Sequence, residues 1–485
     1  MLLEFKNVKV GYNPDAEVEI NNKKYLIHGV IDGEDILVET DAKYPYLKKI
    51  VKPSPHRIPF NEEEVGGAQF HHIDYEYELE LKKKYLNELF SPFHLPEIKI
   101  NKMDNPYNYR NKSQMTFKLS KTKRIIYGLY EEYSHNIITA DNNILQSEKA
   151  NLVIKELNKI LVKHKIRPYD EKTRTGNLRH VLVRYGFNSK ELMVVLITNG
   201  EMFPGRNNVL TDLKKLNLGI TTVVQNFNSR DTSIVLGDKE KVLYGPGFIY
   251  EYVGDYKFKI SPQSFFQVNT NGMKILYDLA MKNANITKND IVIDAYSGVG
   301  TISIFASKYA KQVYGVELNR NAVFDAKINA KINNIKNVEF ICNDATNYLT
   351  NLARIKEHVD VVIMDPPRDG STKAFINAIK YLGARKAIYI SCNPETLKRD
   401  LFQFFENGYV LKSIESVDMF PKTVSLECVA VLELKEDKLE ETLKKINTQK
   451  FKENKIKYIP KADIEMMRED KYEAYGFKNN KNKKH

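Results

Sequence analysis

The sequence predicts an α/β protein of several units, the last of them a Rossmann-like doubly wound domain. Three observations carry that prediction. From about residue 261, apolar strand-like runs alternate with helix-like ones, the pattern of a mostly parallel sheet covered on both faces. Asp294, Glu317, Asp344, Asp365 and Cys392 all fall at, or just past, the end of an expected strand, where open sheets of this kind bind ligands. The chain has 485 residues, too many for one hydrophobic core, so two to four domains are expected.

Composition narrows the class. Hydrophobic residues make up 42% and charged residues 28%, an ordinary globular mixture, but Lys and Arg number 74 against 62 for Asp and Glu. The net charge of +12 argues for a polyanionic partner, nucleic acid before membrane, although a lysine-rich genome produces the same excess. No run approaches the roughly 20 apolar residues that span a bilayer. MLLEFKNVKV lacks a charged stretch followed by an apolar core, so no signal peptide is expected. Cys342, Cys392 and Cys428 have neither metal-ligand spacing nor a disulfide framework. A cytoplasmic protein with reduced thiols is expected.

In chain order, residues 1–52 alternate apolar and polar over short runs broken by Gly29 and Asp32-Gly33, which predicts a small β-barrel-like, OB-like module. Pro53 and Pro55 mark a linker into 53–260, read as a central α+β RNA-binding domain, with an amphipathic helix over 74–90 and another near 147–164. Basic and aromatic residues mix in YNYRNKSQ (107–114) and LRHVLVRYG (178–186), a pattern suited to phosphates and unstacked bases and equally to a solvated sheet face. Residues 261–435 carry the doubly wound domain, with helices near 270–284, 301–309, 320–333, 345–356, 371–381 and 394–406 between its strands. Residues 436–485 are a charged extension with a helix over 436–446 and a basic end, GFKNNKNKKH.

Four motifs carry chemistry. VIDAYSGVGTISIFA (292–306) is a strand, a glycine turn and a helix start, followed by QVYGVEL ending in Glu317, whose carboxylate suits ribose hydroxyls. GVG without a third glycine fits a dinucleotide poorly, so the loop is read as a site for S-adenosylmethionine. Asp344 is placed to reach the adenine, and it can cap a helix before ATNYL at the same time. In VVIMDPPRDG, two prolines fix the turn after Asp365, and Arg368 stands where amino-directed methyltransferases put an aromatic residue. In IYISCNPETL, Cys392 precedes a helix N-terminus, which favours an ionised, nucleophilic thiol. In DMFPKTVSLECVAVLEL, Glu427 lies in an apolar strand-like run, where burial raises a carboxyl toward a useful base. A donor loop, one thiol and one base suffice to methylate carbon 5 of uracil, provided the base is flipped out of its RNA.

On these motifs, together with GNLRHVLVR and ISPQSFFQVN, the chain resembles the S-adenosylmethionine-dependent RNA uracil-5-methyltransferase family over nearly all of 1–435. The resemblance implies Cys392 as nucleophile and Glu427 as the base that removes the carbon 5 proton. It implies donor contacts from Gln267, Tyr296, Glu317, Asp365 and Asp344. It further implies a class I methyltransferase domain, an N-terminal TRAM-like module and a monomer acting on RNA, 23S ribosomal RNA first and transfer RNA second.

One departure stands out. Many members carry a four-cysteine iron-sulfur site, but here EEVGGAQFHH puts Val65 and Ala68 in place of two ligands, and Asn143 occupies the position of the fourth. No cysteine precedes Cys342, so no cysteine-ligated iron-sulfur cluster and no other metal is expected in this region, and packing around Gly66, Gly67 and Phe70 is expected instead. Two rival readings stay open at this level: a base-amino methyltransferase using the DPP turn, and a noncatalytic RNA-binding factor.

Overall fold

The computed structural model describes residues 1–42, 44–61, 65–130, 137–139, 141–232 and 234–453, with side chains as far as 444. The basic end of the expected extension lies outside them. The last described element is the helix Glu436–Glu453.

Residues 1–52 form a small β unit. An antiparallel sheet of Leu2–Phe5, Asp35–Glu39 and Tyr46–Lys52 and the hairpin Asp15–Ile20/Lys23–His28 enclose Ala16, Val18, Ile27, Ile36 and Val38. Every second residue from Ala16 to Ile20 is buried, the period-2 pattern of a strand with one face on a core. The hairpin turns through Asn21 and Asn22, both at positive φ, as a two-residue connection requires.

The middle unit is a seven-stranded sheet running from Lys239–Tyr244 through Ile220–Phe227, Leu192–Thr198, Leu178–Tyr185, Lys112–Leu119 and Ile125–Tyr130 to Ile137–Thr139. Helices Glu148–Lys163 and Arg206–Lys215 cover one face, packing on Met115, Phe117, Val181, Val183 and Leu196. The second helix adds to the expected ones; it starts after Pro204-Gly205 and includes Asn207-Asn208, residues that locally favour loop over helix. Leu182, Met193, Val195 and Ile197 on the other face join the core of the C-terminal unit. Both faces are therefore covered, and all seven residues of Leu192–Thr198 are buried.

The two basic and aromatic segments are in part structural, although Tyr107 stays exposed and Arg110 and Lys112 are half-buried. Arg179 and Arg184 are buried, and their guanidinium groups donate to the carbonyls of Asn228 and Arg230 and of Pro262 and Ser264. Tyr109 and Asn111 are buried as well. These side chains brace the protein instead of lining a free basic face.

The C-terminal unit holds an eight-stranded sheet in the order Val338–Cys342, Gln312–Glu317, Ile291–Ala295, Val361–Met364, Lys386–Ser391, Glu427–Leu434, Tyr409–Val417, Ile100–Asn101. The first five strands are parallel and Glu427–Leu434 runs antiparallel to both of its neighbours. Strands buried at every position, such as Val361–Met364, are continuous apolar runs because helices cover both faces.

Residues 75–101, assigned from sequence to the central domain, pack here. Helix Tyr75–Phe90 lies against helix Pro394–Glu406, and Ile100–Asn101 extends the sheet beside Ser416 and Val417. Their long-range partners decide this placement, and local pattern does not carry it. Among the described residues no helix is long and apolar enough to cross a membrane.

Candidate active site

The glycine loop is the first component. Strand Ile291–Ala295 ends, Tyr296 takes φ +67, and Gly298 and Gly300 take φ +54 and +83 before helix Thr301–Ser307. The Gly298 amide donates to Glu317 Oε2 (3.0 Å), and the Asn319 amide donates to Oε1 (2.7 Å), so Glu317 is aimed by the glycine loop and by its own turn together. A Cβ on Gly298 would meet nothing within 4 Å, which leaves open space beside the loop.

Three buried polar atoms around this space have no hydrogen-bond partner among the described residues: Asp294 Oδ1, Ser297 Oγ and Glu427 Oε2. A compact, highly polar ligand would satisfy such atoms, and the glycine cradle would admit it. The residues present thus fit an adenosyl sulfonium donor. Asp294 donates nothing and accepts Ser303 Oγ (2.5 Å); burial pushes its carboxyl up to about 7, with Asp365 adding to the rise.

The other expected donor contacts are fixed by their own neighbours. Gln267 is buried, and its carbonyl accepts Asn111 Nδ2 (2.8 Å), which also donates to Thr270 Oγ1 (3.0 Å). Tyr296 packs on Phe375 at 5.7 Å between ring centres. Asp365 directly follows strand Val361–Met364, and its amide faces the Ala295 carbonyl (3.4 Å). Asp344 caps helix Ala345–Arg354 by accepting the Asn347 amide (2.9 Å), so the structural role open to it in the sequence is filled.

Register brings the reactive pair together. Ser391 pairs with Cys428, and Val417 with Glu427 across the next strand, so Cys392, one residue on, lies beside Glu427. Burial pushes the Glu427 carboxyl well above its ordinary range, and Asp365 pushes it further, while Arg368 opposes both. Asp365 is itself raised by burial.

The thiol differs from expectation. Cys392 is pushed up to about 11, first by burial and then by Glu427 and Asp365, with Arg368 pulling the other way. The helix N-terminus does not prevail, because Asn393 Oδ1 already accepts the free amides of Glu395 and Thr396. Cys428 is fully buried packing.

Arg368 is the functional residue that sequence reasoning undervalued, having used it only as evidence against amino-group chemistry. Its carbonyl accepts Asn393 Nδ2 (3.2 Å) and Thr396 Oγ1 (3.1 Å), which locks the DPPR turn to the cysteine loop. Asp400 completes the clamp by accepting the Ser371 amide and the Tyr389 hydroxyl, both at 2.7 Å. Nothing local in the sequence marks Asp400. Phe265, two residues before Gln267, leaves 67% of its surface exposed.

A cavity of about 490 Å³ opens onto Cys392 and is lined by Tyr12, Tyr85, Arg368, Glu395 and Leu426. Its wall therefore includes the N-terminal β unit, whose Tyr12 stacks on Tyr85 at 4.1 Å.

The region of the missing cysteines is joined by a polar link. Asn143 Nδ2 donates to the Gly66 carbonyl (2.7 Å), and its Oδ1 accepts the Leu145 amide (3.0 Å). Ala68 packs with Tyr109 and Leu145, whereas Phe70 belongs to a separate cluster with Ile31 and Ile73.

Comparison with known proteins agrees with this geometry. The family described as tRNA (uracil-5-)-methyltransferase matches residues 74–435. An uncharacterized RNA methyltransferase of Oceanobacillus iheyensis is 39% identical over 82% of this chain and 88% of its own length. One from Halalkalibacterium halodurans is 40% identical over 80% and 86%. The crystal structure of Pyrococcus abyssi tRNA (uracil-54, C5)-methyltransferase with S-adenosyl-L-homocysteine superimposes with a TM-score of 0.72 at 25% identity, covering 89% of this chain and 100% of that one.

Proposed function

The chain belongs to the tRNA (uracil-5-)-methyltransferase family, and from that premise we propose that it methylates carbon 5 of a specific RNA uridine through a covalent Cys392 adduct. The observation that carries the reading is the juxtaposition of Cys392 and Glu427 at the ends of neighbouring strands, in the same sheet whose strand Ile291–Ala295 leads into the glycine loop.

Cys392 sulfur adds to carbon 6 of the flipped uracil, and the displaced electron pair forms an enolate across carbons 5 and 4. Gln267, Tyr296, Glu317 and Asp365 hold the donor against this face, and Asp344, which also caps a helix, reaches its adenine. S-adenosylmethionine, when bound, would supply the methyl group that carbon 5 attacks, its sulfonium–methyl bond breaking to leave neutral S-adenosylhomocysteine. Glu427 then takes the carbon 5 proton; the C–H electron pair restores the carbon 5–carbon 6 double bond, and the carbon 6–sulfur bond breaks to release the thiolate. A carboxyl raised by burial suits that proton transfer. Arg368 favours negative charge on both sulfur and carboxylate.

The N-terminal β unit, read as OB-like and TRAM-like, and the central domain are assigned to RNA binding. Large-subunit ribosomal RNA is placed first as substrate; transfer RNA is the second reading, favoured by the substrate named for the Pyrococcus abyssi relative.

Two experiments test the proposal. Cys392→Ala should abolish methylation, and Glu427→Gln should trap a protein–RNA adduct that survives denaturing electrophoresis. Full activity in Cys392→Ala sinks the mechanism. Mapping 5-methyluridine in ribosomal and transfer RNA from a deletion strain separates the two substrates.

A further inference from the structure

The aim of Glu427 is not secured by its own side chain. Its Oε2 has no hydrogen-bond partner among the described residues. Its direction depends on the backbone, where Ser416 Oγ donates to the Glu427 carbonyl (2.7 Å), and on the turn 418–426 that precedes it.

That turn is gripped by helix Tyr75–Phe90 through a set of charges with no exposed surface. Lys82 Nζ donates to Asp418 Oδ1 (2.6 Å), to Glu78 Oε1 (2.7 Å) and to the Phe420 carbonyl (3.4 Å). Tyr75 donates its hydroxyl to Asp418 Oδ2 (2.7 Å). Glu78 Oε1 also accepts the Lys422 amide (2.7 Å), and Lys422 Nζ reaches the Ile73 carbonyl (2.6 Å). Lys422 needs this grip, since it holds φ +64, a conformation that a non-glycine residue adopts at a cost.

Two carboxylates and two ammonium groups thus close a neutral, buried network between the helix and the turn. Networks of this kind add little net stability compared with an apolar core, but they impose one geometry.

We infer that Lys82 is a positioning residue for the reaction: with Glu78 and Tyr75 it holds the 418–424 turn, and through it the direction in which the Glu427 carboxyl meets the carbon 5 proton. The inference rests on the uracil-5 reading above. It predicts that loss of the grip slows adduct breakdown and leaves donor binding alone.

The test uses the full chain, RNA from a strain lacking the gene, and methyl-labelled S-adenosylmethionine. In Lys82→Met, donor affinity by calorimetry should stay within about twofold. The covalent adduct should still form but should persist about 10- to 100-fold longer, the scale expected when a catalytic group is misplaced by about 1 Å. Tyr75→Phe removes the bond to Asp418, together with the acceptor of the Met103 amide (3.0 Å), and should lengthen adduct lifetime by about threefold or more. It decides the matter alone if Lys82→Met does not fold.

Wild-type adduct lifetime in folded variants overturns the inference. So does joint loss of donor binding and adduct formation, which marks a purely structural role. If Glu427→Gln accumulates adduct and neither variant does, only this inference fails. If Glu427→Gln accumulates none, the mechanism it rests on fails with it.

Discussion

The thiol of Cys392 offers a test in which two physical effects predict opposite results. A helix start two residues away argues for a thiolate; burial beside two carboxyls argues for a thiol with a pKa of about 11. At pH 8 a group with a pKa of about 11 is ionised in about one molecule in a thousand, against roughly a quarter for a free cysteine of pKa about 8.5. The more basic sulfur is the better nucleophile, by about tenfold over that interval at a Brønsted slope of about 0.4. Cys392 should therefore react with iodoacetamide roughly 20-fold more slowly than a free thiol at pH 8, its rate still climbing about tenfold per unit toward pH 10. The assay needs a Cys342→Ser background, because Cys342 is exposed and competes, while Cys428 is buried. Labelled peptides read by mass spectrometry give the rate. Glu427→Gln should speed the reaction and Arg368→Gln should slow it, since the first removes a group that raises the thiol and the second a group that lowers it. A rate–pH midpoint at or below about 8.5 would refute the reasoning, because the helix N-terminus would then outweigh burial and the carboxyls.

Three further outcomes follow from packing and charge. Asn143→Ala strands the Gly66 carbonyl and the Leu145 amide at about 1–3 kcal/mol each, so urea unfolding should show a loss of roughly 2–6 kcal/mol, and a loss under about 0.5 would contradict the link. Gly300→Ala puts a methyl 2.5 Å from Phe340 Cζ at φ +83, and calorimetry should show S-adenosylmethionine affinity falling at least about tenfold, a loss of about 1.4 kcal/mol; unchanged affinity would mean that the loop is not the donor site. Burial lowers the His72 ring to about 3, below its unfolded value of 6.5, so the stability it confers is complete above 6.5 and drains as pH falls. Between pH 7 and pH 5 that amounts to about 2 kcal/mol at about 1.4 kcal/mol per unit, and His72→Phe should remove this part of the acid sensitivity in denaturant titrations; an unchanged pH dependence would count against it.

What the sequence disclosed and what it withheld divide along a physical line. Strands such as Val361–Met364 and Lys386–Ser391 are buried on both faces, so their apolar runs are continuous and their ends carry Asp365 and Cys392 in plain view. Helices that follow them start on side-chain caps at Thr372 and Asn393, which local sequence also displays. Helix Tyr75–Phe90 was legible as a helix, but its buried stripe is Glu78, Lys82, Leu86 and Phe90, half of it charged. No periodicity rule reads a lysine as core. The partner that makes it core, Asp418, lies 336 residues further along the chain. The same holds for Cys392. Its helix N-terminus is a local feature, whereas Glu427 and Asp365, which raise the thiol, arrive on other strands of the folded sheet. Local pattern thus identifies which groups can react. Their proton affinities and their aim are set by charges brought from elsewhere in the chain, and Lys82, Arg368 and Asp400 became visible as functional residues only once their distant partners were in place.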